Sequence, residues 1–135
     1  MTACCFLVLE GTLLSFIGTL TQMVDHIEGC AAGAILGIDG ILIERYVHEL
    51  APQMDIDLVA TEFTTLLRRS MRTASDTDLG ELREMVLATD QMIFLARPIT
   101  AEYFLLLALN PGGNVGRARF ELRKAQLTLE TEFAI

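Results

Sequence analysis

A chain of 135 residues is long enough to build one domain around its own hydrophobic core and leaves little room for a second. Its net charge of −8 argues against a nucleic-acid-binding protein, because such proteins rely on basic surfaces that face phosphates. Hydrophobic residues make up 52% of the chain, so apolar surface is expected to remain for a partner protein once the core is filled.

Residues 1–11 are predicted to be an apolar N-terminal extension. A secretory signal has a basic residue before its apolar run, and this segment has none. Glu10 also interrupts the run far short of the roughly 20 apolar residues that a membrane helix needs. The segment is either a simple extension (or a misassigned start) or a peripheral hydrophobic contact. Cys4, Cys5 and Cys30 form an odd set, which indicates reduced thiols and a cytoplasmic protein.

Helical periodicity follows over residues 12–28. Thr12 can act as the N-cap of this helix, and Gly29 is a typical C-terminal stop. The predicted buried stripe consists of Leu13, Phe16, Ile17, Leu20, Val24 and Ile27.

The segment GCAAGAILGIDGILIERY predicts a β-hairpin. Asp39-Gly40 lies between two apolar runs and is typical of a two-residue type I′ turn, which needs a positive φ at both positions. Gly33 and Gly37 share one face of the first strand, and their missing side chains indicate that a helix packs close to the backbone. The other face of that strand carries Ala32, Ala34, Leu36 and Ile38, and the second strand begins with Ile41 and Ile43.

A second helix is predicted from Asp55 or Asp57 to about Ser75. Its apolar stripe consists of Val59, Phe63, Leu66, Leu67, Ser70, Met71 and Ala74, and another side carries Thr61, Thr65, Arg68 and Arg72.

Three strands and a last helix complete the chain. Alternation predicts a strand over 81–89, and a second strand follows over 92–96. The unbroken apolar run at 103–109 predicts a central strand buried on both faces. Asn114 is expected to cap a helix whose buried stripe is Ala118, Leu122, Ala125, Leu129 and Phe133. The order α-β-β-α-β-β-β-α predicts an α/β (α+β) fold with a mostly antiparallel sheet and helices on both faces.

This order, the hairpin GAILGIDGILIERY and the segment YFLLLALNPGGNVGRARFELRKA together resemble the Roadblock family of dynein light chains and bacterial GTPase regulators. The chain is similar in particular to the bacterial gliding-polarity proteins of the MglB and MglC kind. The resemblance implies that residues 12–135 form one Roadblock-like domain with a five-stranded antiparallel sheet. It further implies that the middle helix covers one face and the terminal helices the other.

The resemblance also implies where partners bind. Members of the family usually dimerise through the middle helix and the third strand, here residues 57–75 and 81–89. The paired middle helices often form a platform for a Ras-like GTPase or another Roadblock protein. The implied partner-binding residues are Thr61, Thr65, Arg68, Arg69 and Arg72, and the implied dimer-interface residues are Phe63, Leu67, Met71, Leu82, Glu84 and Val86.

Several of these candidates have a structural explanation as well as a functional one. The three arginines form a docking patch for an acidic partner, or they complement the dipole at the helix end. Glu84 is expected to pair with Arg83 of a second subunit, and Cys30 to be a small buried hydrophobe. The glycine run at 112–116 matches no phosphate-binding motif and is expected to be a strand-to-helix turn.

The expected function is that of a non-enzymatic adaptor, because no nucleophile–base pair, carboxylate pair or metal-ligand spacing emerges from the sequence. We expect no cofactor, no nucleic acid and no membrane span. The expected partners are a second copy or another Roadblock protein, and a Ras-like small GTPase of a polarity or gliding-motility system, bound directly or indirectly. The alternative is a small-molecule sensing domain of PAS-like or profilin-like plan, which needs an internal pocket.

Overall fold

The computed structural model describes residues 16–49 and 53–133. The predicted extension at 1–11, the N-cap at Thr12 and the stripe position Leu13 lie outside these residues, as does the side chain of Phe133. In chain order the described elements are α1 (described over 16–26), β1 (Cys30–Gly37), β2 (Leu42–Val47), α2 (Ile56–Asp76), β3 (Met85–Ala88), β4 (Ile93–Pro98), β5 (Tyr103–Leu109) and α3 (Val115–Phe133).

The five strands form one antiparallel sheet in the order β2-β1-β5-β4-β3. β5 lies at the centre, which explains why residues 104–109 are all apolar and all buried. β2 and β3 are the two edges. The predicted fold class, element order and central strand are confirmed.

Each face of the sheet carries its own core. α1 and α3 pack on one face, where Leu20, Leu107 and Leu122 are fully buried. α2 packs on the other face, where Leu36, Leu67 and Phe104 are fully buried. The arrangement of helices implied by the resemblance is therefore confirmed.

The two glycines of β1 have different reasons to be glycine. A Cβ on Gly33 would lie 3.2 Å from the Val24 side chain of α1, so a helix packs against this position as expected. A Cβ on Gly37 would instead lie 2.5 Å from the Asp39 carboxylate. The space beside Gly37 is occupied by the Asp39 side chain of the adjoining turn, so the prediction that a helix packs there is wrong.

The hairpin turn also differs from the predicted type I′. Gly40 has a φ of +92°, whereas Asp39 does not have a positive φ. The Gly40 N–H donates to the Gly37 carbonyl at 3.0 Å, and the Gly37 N–H donates to the Ile41 carbonyl at 2.9 Å. These bonds describe a loop of residues 38–40 that ends in a left-handed glycine. The Asp39 carboxylate accepts the Ile41 N–H at 3.1 Å and thereby favours this turn.

β3 is shorter than the strand predicted over 81–89. Its pairing with β4 begins at Met85, opposite Ala96. Continuing the same register would place Arg83 opposite Pro98, which has no N–H to donate. Residues 81–84 therefore leave the sheet before β3 begins.

The helix stripes are largely as predicted, with a correction in each of the first two. In α1, Ile17 is exposed and Met23 is buried in its place. In α2, Leu66 is 44% exposed, while Ala60 and Thr64 join the buried side. The buried side of α2 is rotated relative to the predicted stripe, which places Ala60 and Thr64 against the sheet and leaves Leu66 outside it.

Both predicted helix starts are confirmed by their caps. The Asp55 carboxylate accepts the Leu58 N–H at 3.1 Å at the start of α2. The Asn114 side-chain oxygen accepts the Arg117 N–H at 3.0 Å at the start of α3.

The segment that follows α1 packs against the turn before α3. Gly29 has a φ of +81°, and a Cβ there would lie 2.5 Å from the Cα of Gly113. The Asn114 N–H donates to the Glu28 carbonyl at 3.0 Å across the same contact. The glycine run at 112–116 is thus a strand-to-helix turn, as expected.

Candidate functional site

The surface of α2 has two flanks with different chemistry. The first, which we call the arginine flank, faces the β1–β2 hairpin and consists of Thr61, Thr65, Arg68 and Arg72, all of them exposed. A guanidinium nitrogen of Arg68 lies 3.5 Å from the Ile38 carbonyl, which shows that this flank points toward the hairpin.

The threonines of the arginine flank are turned back onto the helix. The Thr61 hydroxyl donates to the Asp57 carbonyl at 2.9 Å, and the Thr65 hydroxyl donates to the Thr61 carbonyl at 3.3 Å. Arg69, on the crest of the helix beside this flank, and Arg72 form no ion pair with any side chain of 16–49 or 53–131. The positive charges that α2 offers to a partner are these arginines, and the helix also exposes the carboxylate of Glu62.

The second flank of α2, which we call the β3 flank, is apolar apart from Ser70. It consists of Val59, Leu66 and Ser70 on the helix, together with Met85 and Leu87 on the sheet. The Ser70 hydroxyl lies 3.2 Å from the Met85 sulfur, so this side of α2 faces β3.

Leu87 belongs to the β3 flank because of the strand register. It lies opposite Phe94, whose ring centroid is 5.9 Å from that of Phe63 in α2. Opposed residues of neighbouring strands share a face, so Leu87 points to the α2 side of the sheet. It is 41% exposed, which leaves much of its side chain open.

β3 is an edge strand without the usual protection against pairing. Its sequence, MVLA, has no charge and no proline, and Val86 on the α3 side is as exposed as Leu87. The other edge, β2, carries Glu44 and Arg45, and Arg45 forms an ion pair with Asp57 at 3.2 Å. An uncharged, open edge is the one that favours pairing with another strand.

The residues implied as a dimer interface do not lie together on the surface. Phe63 and Leu67 are buried beneath α2 in the chain's own core, and Met71 and Leu82 are partly buried against that core. Val86 is exposed at the edge. Leu66 and Leu87 are available beside it, although the predicted buried stripe of α2 includes Leu66.

Glu84 has a partner within its own chain. The Arg119 Nε donates to both carboxylate oxygens at 3.2 Å, so Glu84 is joined to α3. The pairing of Glu84 with Arg83 of a second subunit stays a prediction, to which the structure adds this contact within one chain. Sequence periodicity alone does not reveal it, because residues 84 and 119 are far apart in the chain.

Cys30 is the buried residue that the sequence predicts. Its Sγ lies 3.6 Å from the carbonyl oxygens of Ala32 and Ala108. Burial raises the pKa of the thiol to about 12, against a smaller lowering by the Ala32 backbone. The thiol is therefore neutral and inert near neutral pH.

The interior offers little room for a ligand where the structure is described. The space between α2 and the sheet, lined by Val59, Ala60 and Phe94, measures about 10 Å³, which holds about one water molecule. A larger, open cleft of about 730 Å³ lies where residues 81–84 leave the sheet. Its walls include Met71, Leu82, Arg83, Arg97 and Ile99.

The described ranges 16–49 and 53–133 contain neither a cluster of metal ligands nor a helix that could span a membrane. No group of three or more His, Cys, Asp or Glu side chains in these ranges is placed to hold a metal ion. No helix there has the length and apolar character needed to cross a membrane.

Solved structures with the same fold give the geometry a context. MglC from Myxococcus xanthus has a TM-score of 0.64 and 28% identity, covering 87% of this chain and 98% of that chain. The gliding protein MglB from Thermus thermophilus has a TM-score of 0.81 and 14% identity, covering 90% of both chains. A Roadblock/LC7 domain from Streptomyces avermitilis has a TM-score of 0.77 and 12% identity, covering 87% of this chain and 96% of that chain. No family model and no curated protein sequence matches the chain.

Proposed function

We propose that this chain, a Roadblock-like protein close to MglB and MglC, is a non-enzymatic cytoplasmic adaptor that self-associates and scaffolds or regulates a Ras-like small GTPase. The observation that carries the proposal is the open, uncharged β3 edge beside the apolar β3 flank, next to an α2 surface bearing arginines. The resemblance to gliding proteins supports a role in polarity or motility.

Self-association follows from the chemistry of the edge. Two copies of β3 related by a two-fold axis pair antiparallel and remove both open edges at once. The same rotation brings together the β3 flanks of the two copies and covers Leu66 and Leu87. A related Roadblock protein with a similar edge is the alternative partner.

Amide hydrogen exchange tests this pairing directly. In a single chain, the amides of residues 85–88 that point away from β4 exchange freely, whereas pairing with a second strand protects them. We expect their protection to increase with protein concentration, while β5 stays protected throughout. Exchange of residues 85–88 that is fast at every concentration contradicts pairing through β3.

GTPase binding is proposed on the arginine surface of α2. Arginine side chains exposed on a chain with a net charge of −8 attract acidic groups of a partner. A Ras-like GTPase from the same organism, loaded with GDP or with a GTP analogue, is titrated against the wild-type chain and Arg69→Glu/Arg72→Glu. We expect binding to weaken by about tenfold or more in the variant, with Arg123→Glu/Lys124→Glu on α3 as the charge-matched control.

The role of the adaptor in hydrolysis is a separate measurement. Single-turnover GTP hydrolysis with and without the chain distinguishes activation from scaffolding. We expect binding without acceleration, because the C-terminal segment resembles that of the non-activating adaptor members of the family. Failure to bind any Ras-like GTPase in either nucleotide state, directly or through a Roadblock partner, overturns the GTPase part of the proposal.

A second candidate is small-molecule sensing, supported by the open cleft of about 730 Å³ beside Leu82 and Ile99. Its volume lies in the range of ligand sites. A thermal-shift screen tests it, with Ala101→Trp at an exposed wall position to fill the cleft. A ligand whose stabilisation disappears in that variant supports sensing, and an empty screen contradicts it.

A further inference from the structure

The outward side of α3 combines apolar and basic side chains that the core does not use. Phe120 is 58% exposed and Leu127 is 65% exposed. They lie two helical turns apart, about 10.5 Å along the axis. Arg123 and Lys124, also exposed, lie between them, one turn from each. We call these four residues the α3 stripe.

The cations of the α3 stripe are not neutralised within the described chain. Arg117 pairs with Glu121 at 3.0 Å, and Arg119 pairs with Glu84 at 3.2 Å, so the first basic residues of α3 have partners. Arg123 and Lys124 form no ion pair with a side chain of 16–49 or 53–131. They are therefore available to an acidic group from outside.

Phe120 is held at the surface and is not folded back into the core. The Arg117 guanidinium carbon lies 5.5 Å from the centroid of the Phe120 ring, a cation–π contact on one side of the ring. Glu121 fixes Arg117 from below, because Glu121 is buried and bonded to it. The ring is thus presented to solvent in a restricted position, which lowers the entropy cost of binding.

These features define the chemistry of the occupant. Two apolar side chains one heptad apart match the spacing at which an amphipathic helix presents its own apolar residues. The two cations between them are complementary to carboxylates of the partner at the centre of the contact. An anionic bilayer fits less well, because a chain with a net charge of −8 is repelled by it and only two apolar side chains would insert.

We infer that the α3 stripe is a docking surface for an amphipathic helix of a partner protein, with carboxylates between two apolar residues. α3 and α2 lie on opposite faces of the sheet, so this contact uses neither the β3 edge nor the arginine flank. An experiment that disproves docking at the α3 stripe therefore leaves the proposed function standing, and the reverse also holds.

A designed peptide tests the inference. The probe is a helical peptide of about 16 residues with two leucines one heptad apart and two glutamates between them on the same face. One control peptide replaces the glutamates with lysines, and the other replaces the leucines with serines. Fluorescence anisotropy of labelled peptides, titrated with the full chain, gives each affinity. We expect the acidic peptide to bind more tightly than both controls.

Variants then assign the binding to the α3 stripe. We expect Arg123→Glu/Lys124→Glu, and separately Phe120→Ser, to weaken binding by about tenfold or more. Arg69→Glu/Arg72→Glu makes the same charge change on α2 and should leave the affinity unchanged. Thermal unfolding confirms that each variant is folded.

Three results overturn the inference. The first is that the acidic peptide fails to bind or binds no more tightly than the lysine peptide. The second is that the α2 variant weakens binding as much as the α3 variant. The third is that phosphatidylserine vesicles, and not the peptide, bind in a manner that depends on Arg123 and Lys124, which assigns the surface to lipid.

Discussion

Glu84 and Arg119 join the edge strand to the last helix: the Arg119 Nε lies 3.2 Å from both carboxylate oxygens of Glu84. Glu84 directly precedes β3, so the contact ties the entry of this strand to α3. Val86, Leu87 and Ala88 form the exposed part of this strand.

A double-mutant cycle tests this pairing. Because Arg119 is half exposed, we expect Glu84→Gln to lower the free energy of unfolding by less than about 1 kcal/mol. Urea unfolding of Glu84→Gln, Arg119→Gln and the double variant should give a coupling of a few tenths of a kcal/mol. A coupling of Glu84 to Arg83 that grows with protein concentration would instead indicate pairing across subunits.

The contact between Gly29 and Gly113 predicts a large effect of one methyl group. Gly29→Ala places a Cβ 2.5 Å from the Gly113 Cα in a backbone conformation that already disfavours alanine. Gly40→Ala is the matched control, since it also has a positive φ but no atom within 4 Å of its Cβ.

We expect Gly40→Ala to lower the free energy of unfolding by about 1–2 kcal/mol, the cost of the left-handed conformation alone. Gly29→Ala should lower it by at least about 3 kcal/mol, because the backbone contact must also open. If urea unfolding gives the same loss of unfolding free energy for both variants, the backbone contact between Gly29 and Gly113 is contradicted.

The buried thiol of Cys30 predicts a dependence of stability on alkaline pH. Its pKa is raised from 9.0 to about 12 in the folded chain, so the unfolded chain loses this proton first as the pH rises. The contribution of Cys30 to stability is therefore complete below pH 9 and is lost between about pH 9 and 12.

Urea unfolding of the wild type and Cys30→Ala across this pH range checks the effect. We expect the difference in unfolding free energy between them to fall as the pH rises. In a Cys4→Ser/Cys5→Ser background, Cys30 should react with a thiol reagent only after unfolding. Rapid labelling of the folded chain would contradict its burial.

Much of the fold could be predicted because local signals and tertiary structure agree. Asp55 and Asn114 mark helix starts by chemistry that acts within one turn, and both caps form. The apolar run at 103–109 could belong only to a strand covered on both sides. The arrangement of the helices came from the family resemblance and not from periodicity.

The features that escaped prediction depend on residues distant in sequence or on side-chain geometry. The prediction of β3 from residue 81 failed because Pro98, on the neighbouring strand, cannot donate to the ladder. The turn type differs from the predicted type I′ because the Asp39 carboxylate accepts the Ile41 N–H and favours another conformation. Leu66 fits a helical stripe in sequence, yet only the position of α2 on the sheet decides that it faces β3.

The solution mass measured by light scattering tests the central claim, that two copies associate through β3 and the β3 flank, most directly. We expect the wild type to have twice the mass of one chain, and Leu87→Lys to have the mass of one. Ile41→Lys, at an exposed apolar position beside the opposite sheet edge, should keep the double mass. A wild type that stays single at every concentration, or a Leu87→Lys variant that keeps the double mass, would contradict the account.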